Sequence, residues 1–166
     1  YYGEISFIDY NLGRLLTYLD KEDLLEETLI IYTADHGEML GDYDCFGKRC
    51  FLDPAVRIPL IMRYPGCDKG KVCPTPVSLI DIMPTILEYA GIEGNEDCCG
   101  VRLFGLSRGE SERETIFSQY EKEGYANYMA VDEDYKYIYS APDDKEILFD
   151  LKTDPGETRT KAYSPL

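Results

Sequence analysis

A continuous apolar and β-branched run, Thr28–Ala34, follows an amphipathic helix pattern at the start of the sequence. Runs of this kind are typical of strands that are buried on both faces, as in a parallel sheet. The helix pattern consists of apolar side chains spaced three or four residues apart, namely Ile5, Ile8, Leu12, Leu15, Leu16 and Leu19. No capping residue precedes the helix, which favours a chain that is part of a larger fold.

Two further elements are predicted in the middle of the chain. Val56–Met62 has the composition of a strand, and Pro59 near its centre favours an edge or bulged strand, because proline cannot donate to a ladder. Asp81–Ala90 has the pattern of a short helix, with Ser78 or Asp81 as its cap. The residues after this helix, as far as Gly109, are predicted to form a loop.

The last third of the chain has a different pattern. Short polar links separate four segments with strand composition: Ile116–Tyr120, Tyr128–Val131, Tyr135–Tyr139 and Ile147–Leu151. This pattern predicts an antiparallel meander. The fold class is therefore α/β followed by a small α+β subdomain, and we expect domains at 1–110 and 111–166.

Charge limits the partners that the chain can have. Its 166 residues include 17 Lys and Arg against 32 Asp and Glu, a formal net charge of -15. An acidic surface repels nucleic acid and anionic membranes, so we expect neither as a partner. Residues 45–72 are the exception, with a net charge of +4: Asp53 and Asp68 oppose six basic residues, namely Lys48, Arg49, Arg57, Arg63, Lys69 and Lys71. A local positive segment is what an anion-binding site requires.

The six cysteines are Cys45, Cys50, Cys67, Cys73, Cys98 and Cys99. The chain is long for a disulfide-stapled scaffold, and two of these cysteines are adjacent, which favours free thiols over a disulfide framework. Free thiols favour a cytoplasmic location slightly, and an exported protein is the alternative. A zinc site is disfavoured, because there is no Cys-x-x-Cys pair and only one histidine.

Asp35 and His36 stand where the predicted buried strand ends and a glycine-containing loop, residues 37–55, begins. Ligands of open α/β sheets bind at the carboxyl ends of strands. A carboxylate and an imidazole side by side can reach one cation there, and Gly37 permits a tight turn. The alternative is that Asp35 caps the turn and His36 is a surface residue; the tripeptide alone does not separate the two interpretations.

Several segments, in this order, resemble the sulfatases of the alkaline phosphatase superfamily. The segments are a tyrosine-rich helix opening at Tyr1-Tyr2, Thr33–Asp42 at the strand end, Phe46-Gly47-Lys48, Val56–Ile61, Val77–Leu87, and Leu148–Leu151 with Asp154-Pro155-Gly156-Glu157. The resemblance covers almost the whole chain. It implies the C-terminal part of an alkaline-phosphatase-like α/β sandwich, followed by the antiparallel subdomain.

The resemblance also implies roles for particular residues. Asp35 and His36 would be two ligands of a divalent metal, most often Ca²⁺ in this family, in a site that this chain leaves incomplete. Lys48 would contact a sulfate oxygen of the substrate. Arg57 and Tyr120 are weaker candidates for substrate binding. The simpler interpretations are that Arg57 pairs with a carboxylate and that Tyr120 packs in a strand.

In the sulfatase family the nucleophile is a formylglycine made from the first residue of a Cys/Ser-x-Pro-x-Arg motif, and this sequence has no such motif. We therefore expect the nucleophile upstream, in an N-terminal part of the same polypeptide, and an isolated chain that is inactive. The implied substrate is a small anionic ester, either a sulfated sugar or an aryl sulfate. A phosphodiester or phosphonate monoester hydrolase and a non-catalytic binding domain are the alternatives.

Overall fold

The computed structural model describes residues 1–94, 98–109 and 113–161. The chain divides into two compact units, the first formed by Tyr1–Thr33 and Pro59–Lys71, the second by residues 34–58 and the described residues from 72 onward. The predicted boundary between residues 110 and 111 lies outside the described residues, so that division stays a prediction. None of the helices within the described ranges has the length and hydropathy needed to cross a membrane.

The first unit contains a long helix and a strand pair. Helix α1 spans Tyr2–Lys21, as the helix pattern predicts. Strand β1 spans Ile30–Thr33 and strand β2 spans Leu60–Arg63. The apolar side chains of α1 remain exposed or half-buried, and no residue of this helix is buried.

Two details of the strand predictions are wrong. Strand β1 pairs antiparallel with β2, and Tyr32 at its centre is 38% exposed, so β1 is not buried on both faces as a parallel strand would be. Strand β2 begins after Pro59 instead of containing it. The missing N–H of proline explains this start, because residue 59 has no donor for the ladder.

The second unit contains three short helices: α2 at Asp53–Val56, α3 at Ile82–Tyr89 and α4 at Leu103–Arg108. Helix α3 confirms the predicted helix. Helix α2 lies in the predicted loop, where Pro54 occupies the first turn, a position that suits proline. Helix α4 also replaces a predicted loop, and it ends at a left-handed Gly109.

Asp81 is fully buried and joins the segments around α3. With Ser78 it forms a capping box at the turn Leu79–Asp81, which confirms Ser78 as a cap; Asp81 stands at the N-cap position of α3 without a side-chain cap hydrogen bond. Its two carboxylate oxygens also accept hydrogen bonds of 2.6 and 2.7 Å from the Arg113 guanidinium and one of 2.9 Å from the Val101 N–H. A buried carboxylate with this many donors holds three chain segments together.

The four predicted strands of the last third are confirmed. They are β3 at Ile116–Tyr120, β4 at Asn127–Val131, β5 at Tyr135–Ser140 and β6 at Lys145–Asp150. They form an antiparallel sheet in the order β3-β4-β5-β6. Alternating side chains on one face of this sheet build the core of the unit, with Met129, Ile138 and Phe149 packed against Phe51. The segment that leads into α2 is therefore fixed on the sheet.

Candidate metal and substrate-contact site

Asp35 and His36 present their side chains to the same side of a loop in the second unit. The ring atom His36 Nε2 lies 3.6 Å from Asp35 Oδ2, and the backbone N–H of His36 donates to Asp35 Oδ1 over 3.0 Å. The side chains are 86% exposed for Asp35 and 40% for His36. The structure therefore brings the two predicted metal ligands together with their outer atoms accessible.

The hydrogen bond of the other imidazole nitrogen selects the tautomer that a metal ligand needs. His36 Nδ1 lies 2.8 Å from the Gly37 carbonyl oxygen, which can only accept a hydrogen bond. The neutral ring therefore carries its hydrogen on Nδ1, and Nε2 keeps a free lone pair beside the carboxylate.

The separation of the two ligand atoms also fits a hard cation. Two ligands at right angles on a cation, each 2.3–2.6 Å from it, are roughly 3.3–3.7 Å apart. The 3.6 Å between His36 Nε2 and Asp35 Oδ2 lies in that range. Within the described residues there is no group of three or more His, Cys, Asp or Glu that could hold a metal ion. Asp35 and His36 are therefore a candidate pair of ligands and not a complete site within the described residues.

Gly37 and Glu38 are fixed against the start of helix α2. The Gly37 N–H donates to the Ala55 carbonyl over 2.7 Å, and the Glu38 N–H donates to the Pro54 carbonyl over 2.9 Å. A Cβ on Gly37 would lie 2.0 Å from the Pro54 oxygen. The close approach of two backbones explains the glycine, and no left-handed turn is involved at this position.

The same loop carries Lys48, whose backbone position is set by its neighbour Gly47. Gly47 bonds to the loop on both sides: its N–H donates to the Glu38 carboxylate, and its carbonyl accepts from the Met39 N–H over 2.8 Å. Lys48 follows directly and is exposed. No carboxylate among the described residues lies within ion-pair distance of its ammonium group. The ammonium is therefore available to an anion.

The positive segment 45–72 is not a single anion site. Three of its cations already have carboxylate partners: Arg57 with Asp53, Arg63 with Glu26, and Lys71 with Asp68. The segment is also divided between the two compact units at residue 59. Lys48, Arg49 and Lys69 have no carboxylate partner among the described residues, and of these Lys48 is the one that the family resemblance singles out.

The two weaker candidates for substrate binding have structural partners. The Arg57 guanidinium lies 3.2 Å from the Asp53 carboxylate, and the Arg57 side chain is mostly exposed. Asp53 is the first residue of helix α2, and Arg57 is the residue that follows the helix. Tyr120, at the end of β3, packs against the hydrophobic core cluster of the second unit. These contacts match the simpler interpretations of both residues, and a role in substrate binding stays a prediction.

Sequence reasoning missed a group of charges around a buried lysine, which we call the ionic cluster: Lys136 and Glu157, both buried, and the half-buried Asp53. The Lys136 ammonium contacts the carboxylates of both other residues. Next to the cluster, the Tyr43 hydroxyl donates to the Gly156 carbonyl, and burial together with the nearby Glu157 raises the pKa of Tyr43. The only signal in the sequence is the acidic turn Asp154–Glu157, which belongs to the resembling segments.

A carboxylate, an imidazole with a free lone pair and an available ammonium on one loop provide the groups that metal-dependent hydrolases of anionic esters use. The comparison with known families agrees with this class. The family model for sulfatases matches residues 1–92, and the chain belongs to the sulfatase family.

Individual relatives show the same likeness. The chain is 36% identical to a choline-sulfatase of Rhizobium meliloti over 170 residues, which cover 99% of this chain and 33% of the relative. A solved structure in complex with its substrate D-glucosamine-2-N,6-O-disulfate is 32% identical, has a TM-score of 0.82, and is matched over 94% of this chain and 34% of its own. A phosphonate monoester hydrolase from Silicibacter pomeroyi is 34% identical with a TM-score of 0.82, over 92% of this chain and 34% of its own.

These likenesses confirm the predicted family and the predicted fold class. The chain spans about a third of the length of the relatives that it matches.

Proposed function

We propose that the protein hydrolyses sulfate esters and that this chain supplies part of the active site. The observation that carries the proposal is the Asp35–His36 pair, whose 3.6 Å separation and free imidazole lone pair suit a shared cation. Membership in the sulfatase family and the likeness to a choline-sulfatase support the same chemistry. The isolated chain is expected to be inactive.

Asp35 and His36 would hold a divalent metal, in keeping with the general use of such metals by sulfatases. Ca²⁺ suits the carboxylate best, since it prefers oxygen ligands, and His36 would be its less typical nitrogen ligand. When bound, the cation would polarise the sulfuryl group and activate the nucleophile. Asp35 and His36 contribute two ligands, so the remaining ligands would come from elsewhere in the polypeptide.

Lys48 would contact a nonbridging oxygen of the sulfate ester. Its ammonium has no carboxylate partner among the described residues, so it does not have to leave an ion pair to bind an anion. A fixed positive charge at this position would offset the negative charge that develops as the S–O bond breaks. Gly47, bonded to the loop through both its N–H and its carbonyl, sets where the lysine backbone lies.

The nucleophile would be a formylglycine in a Cys/Ser-x-Pro-x-Arg motif upstream of Tyr1, since the sulfatase resemblance implies that group and this sequence lacks the motif. The substrate class would be a sulfated sugar or an aryl sulfate. A sugar is supported by the likeness to the structure that contains a disulfated glucosamine.

The test is the turnover of 4-nitrophenyl sulfate by the full-length protein and its Lys48→Ala variant. Loss of one charged contact to the developing anion typically lowers kcat about 100-fold to 1,000-fold. Lys69→Ala is the matched control, because Lys69 is an exposed lysine of the same positive segment. Undiminished turnover in Lys48→Ala would refute the assignment of Lys48.

A second candidate function is the hydrolysis of phosphonate monoesters or phosphodiesters. The likeness to the Silicibacter pomeroyi phosphonate monoester hydrolase favours it. Its TM-score equals that of the structure with the disulfated glucosamine, 0.82, and its sequence identity is 34% against 32%. The values of kcat/KM for matched nitrophenyl sulfate, phosphonate and phosphodiester substrates separate the two. A parent coding sequence without the nucleophile motif would instead favour a non-catalytic binding domain.

A further inference from the structure

The ionic cluster of Asp53, Lys136 and Glu157 lies at the junction of three chain segments in the second unit. Lys136 is 2% exposed and lies on strand β5, on the same face as Ile138 of the core. Its ammonium contacts Asp53 at the first residue of helix α2 and Glu157 in the acidic turn after β6. Lys136 and Asp53 are 83 positions apart in the sequence.

The cluster forms a closed network around Asp53. One Asp53 carboxylate oxygen contacts Lys136, and the other accepts from Arg57 over 3.2 Å. The Asp53 N–H donates to Glu157 over 2.6 Å, while the other oxygen of Glu157 contacts Lys136. Both the backbone and the side chain of Asp53 are therefore fixed, and Lys136 is the cation that offsets the half-buried Asp53 and the buried Glu157.

The residues after Asp53 connect this network to the loop that contains Asp35, His36, Gly37 and Glu38, which we call the ligand loop. The carbonyl groups of Pro54 and Ala55 accept the N–H groups of Glu38 and Gly37. Gly37 follows His36 directly, and its carbonyl holds the imidazole through Nδ1. The path from Lys136 to the metal ligands thus runs through one ion pair, one turn of helix and two backbone hydrogen bonds.

We propose that Lys136 and Glu157 are positioning residues for the Asp35–His36 ligand pair, acting through Asp53 and the start of helix α2. The inference rests on the proposed function, in which Asp35 and His36 bind a metal. Because the side chains of these two residues are exposed, they need support from the structure behind them. Groups that orient metal ligands in this way typically change metal affinity or activity about 10-fold to 100-fold when they are replaced.

The test compares Lys136→Met with Arg113→Met in the full-length protein. Each variant removes the cation from a buried carboxylate of the second unit, but Arg113 pairs with Asp81, whose other carboxylate contacts are the N–H groups of Ser78 and Val101. Hydrogen exchange is measured at the amides of Gly37 and Glu38, relative to the core amides of Met129 and Ile138. Ca²⁺ affinity is measured by calorimetric titration.

Lys136→Met is expected to accelerate exchange at Gly37 and Glu38 by at least about tenfold over the core amides, because exchange follows local opening. The dissociation constant for Ca²⁺ should rise about 10-fold to 100-fold. Arg113→Met should change neither the exchange at Gly37 and Glu38 relative to the core amides nor the dissociation constant for Ca²⁺. If Lys136→Met does not fold, Glu157→Gln keeps the shape of the side chain and should shift both readouts in the same direction.

Equal exchange ratios in Lys136→Met and wild type would overturn the inference, and so would an equal acceleration in Arg113→Met. The exchange readout does not depend on turnover. If the wild-type protein has no sulfatase activity and Lys136→Met still shows the specific acceleration, the proposed function is refuted and the positioning role is supported.

Discussion

Replacing Gly37 by alanine should separate the ligand loop from helix α2, because the new Cβ would lie 2.0 Å from the Pro54 carbonyl oxygen. Ordinary carbon–oxygen contacts are no shorter than roughly 3.3 Å, so the two backbones must move apart by about 1.3 Å. That movement would stretch the hydrogen bond from the Gly37 N–H to Ala55, now 2.7 Å, beyond hydrogen-bond range, together with the bond that Glu38 donates. Loss of the two bonds would lower the free energy of unfolding by about 1–3 kcal/mol.

The effect on activity should be larger than the effect on stability. A misplacement of about 1 Å at reacting groups can lower the rate about 100-fold, so we expect that loss in kcat/KM for 4-nitrophenyl sulfate in the full-length protein. Gly124→Ala is the control, since a Cβ there meets no atom within 4 Å. A Gly37→Ala variant with wild-type kcat/KM and wild-type urea stability would refute the argument from close approach.

Two other predictions concern buried and half-buried ion pairs. Arg113→Met leaves the fully buried Asp81 without its cation and should lower the free energy of unfolding by about 3–5 kcal/mol in urea titrations; a loss no larger than that of Lys152→Met, at an exposed pair, would contradict it. The hydrogen bond from Lys161 lowers the pKa of Asp150 from 3.8 to about 2, so the stability from this group is complete above pH 3.8 and is lost as the pH falls towards 2. In Lys161→Met, NMR titration of the carboxyl carbon should show the pKa of Asp150 moved up towards 3.8, and an unchanged pKa would show that Lys161 is not the cause.

The parts of the fold that follow from local patterns were predictable. The meander was predicted almost to the residue, because alternating side chains and polar turns are local signals, and strand β5 differs from its prediction only by Ser140. Helix α2 was placed in a predicted loop although its signal is also local, since Asp53-Pro54 is a typical helix start. Helix α4 was missed because six residues are too few to establish a helical period.

The candidate site was predictable only where its residues are neighbours in the sequence. Asp35 and His36 are adjacent and Lys48 lies in the same loop, so both strand-end placement and family resemblance point to them. Lys136 and Glu157 look like ordinary surface charges in the sequence, because each meets Asp53 only through tertiary folding, across 83 and 104 residues. The burial of Lys136 in a strand face has no local signal, because its partner carboxylate Asp53 lies 83 residues away in the sequence.

The most direct test of the account is the divalent cation content of the full-length protein and its Asp35→Asn variant, measured by elemental mass spectrometry after dialysis and paired with sulfate ester turnover. Asp44→Asn is the control, because Asp44 is an exposed carboxylate of the same loop. The account predicts that wild type and Asp44→Asn retain the cation and that Asp35→Asn loses both cation and turnover. Wild-type cation content and turnover in Asp35→Asn would contradict the assignment of Asp35 and His36 as metal ligands.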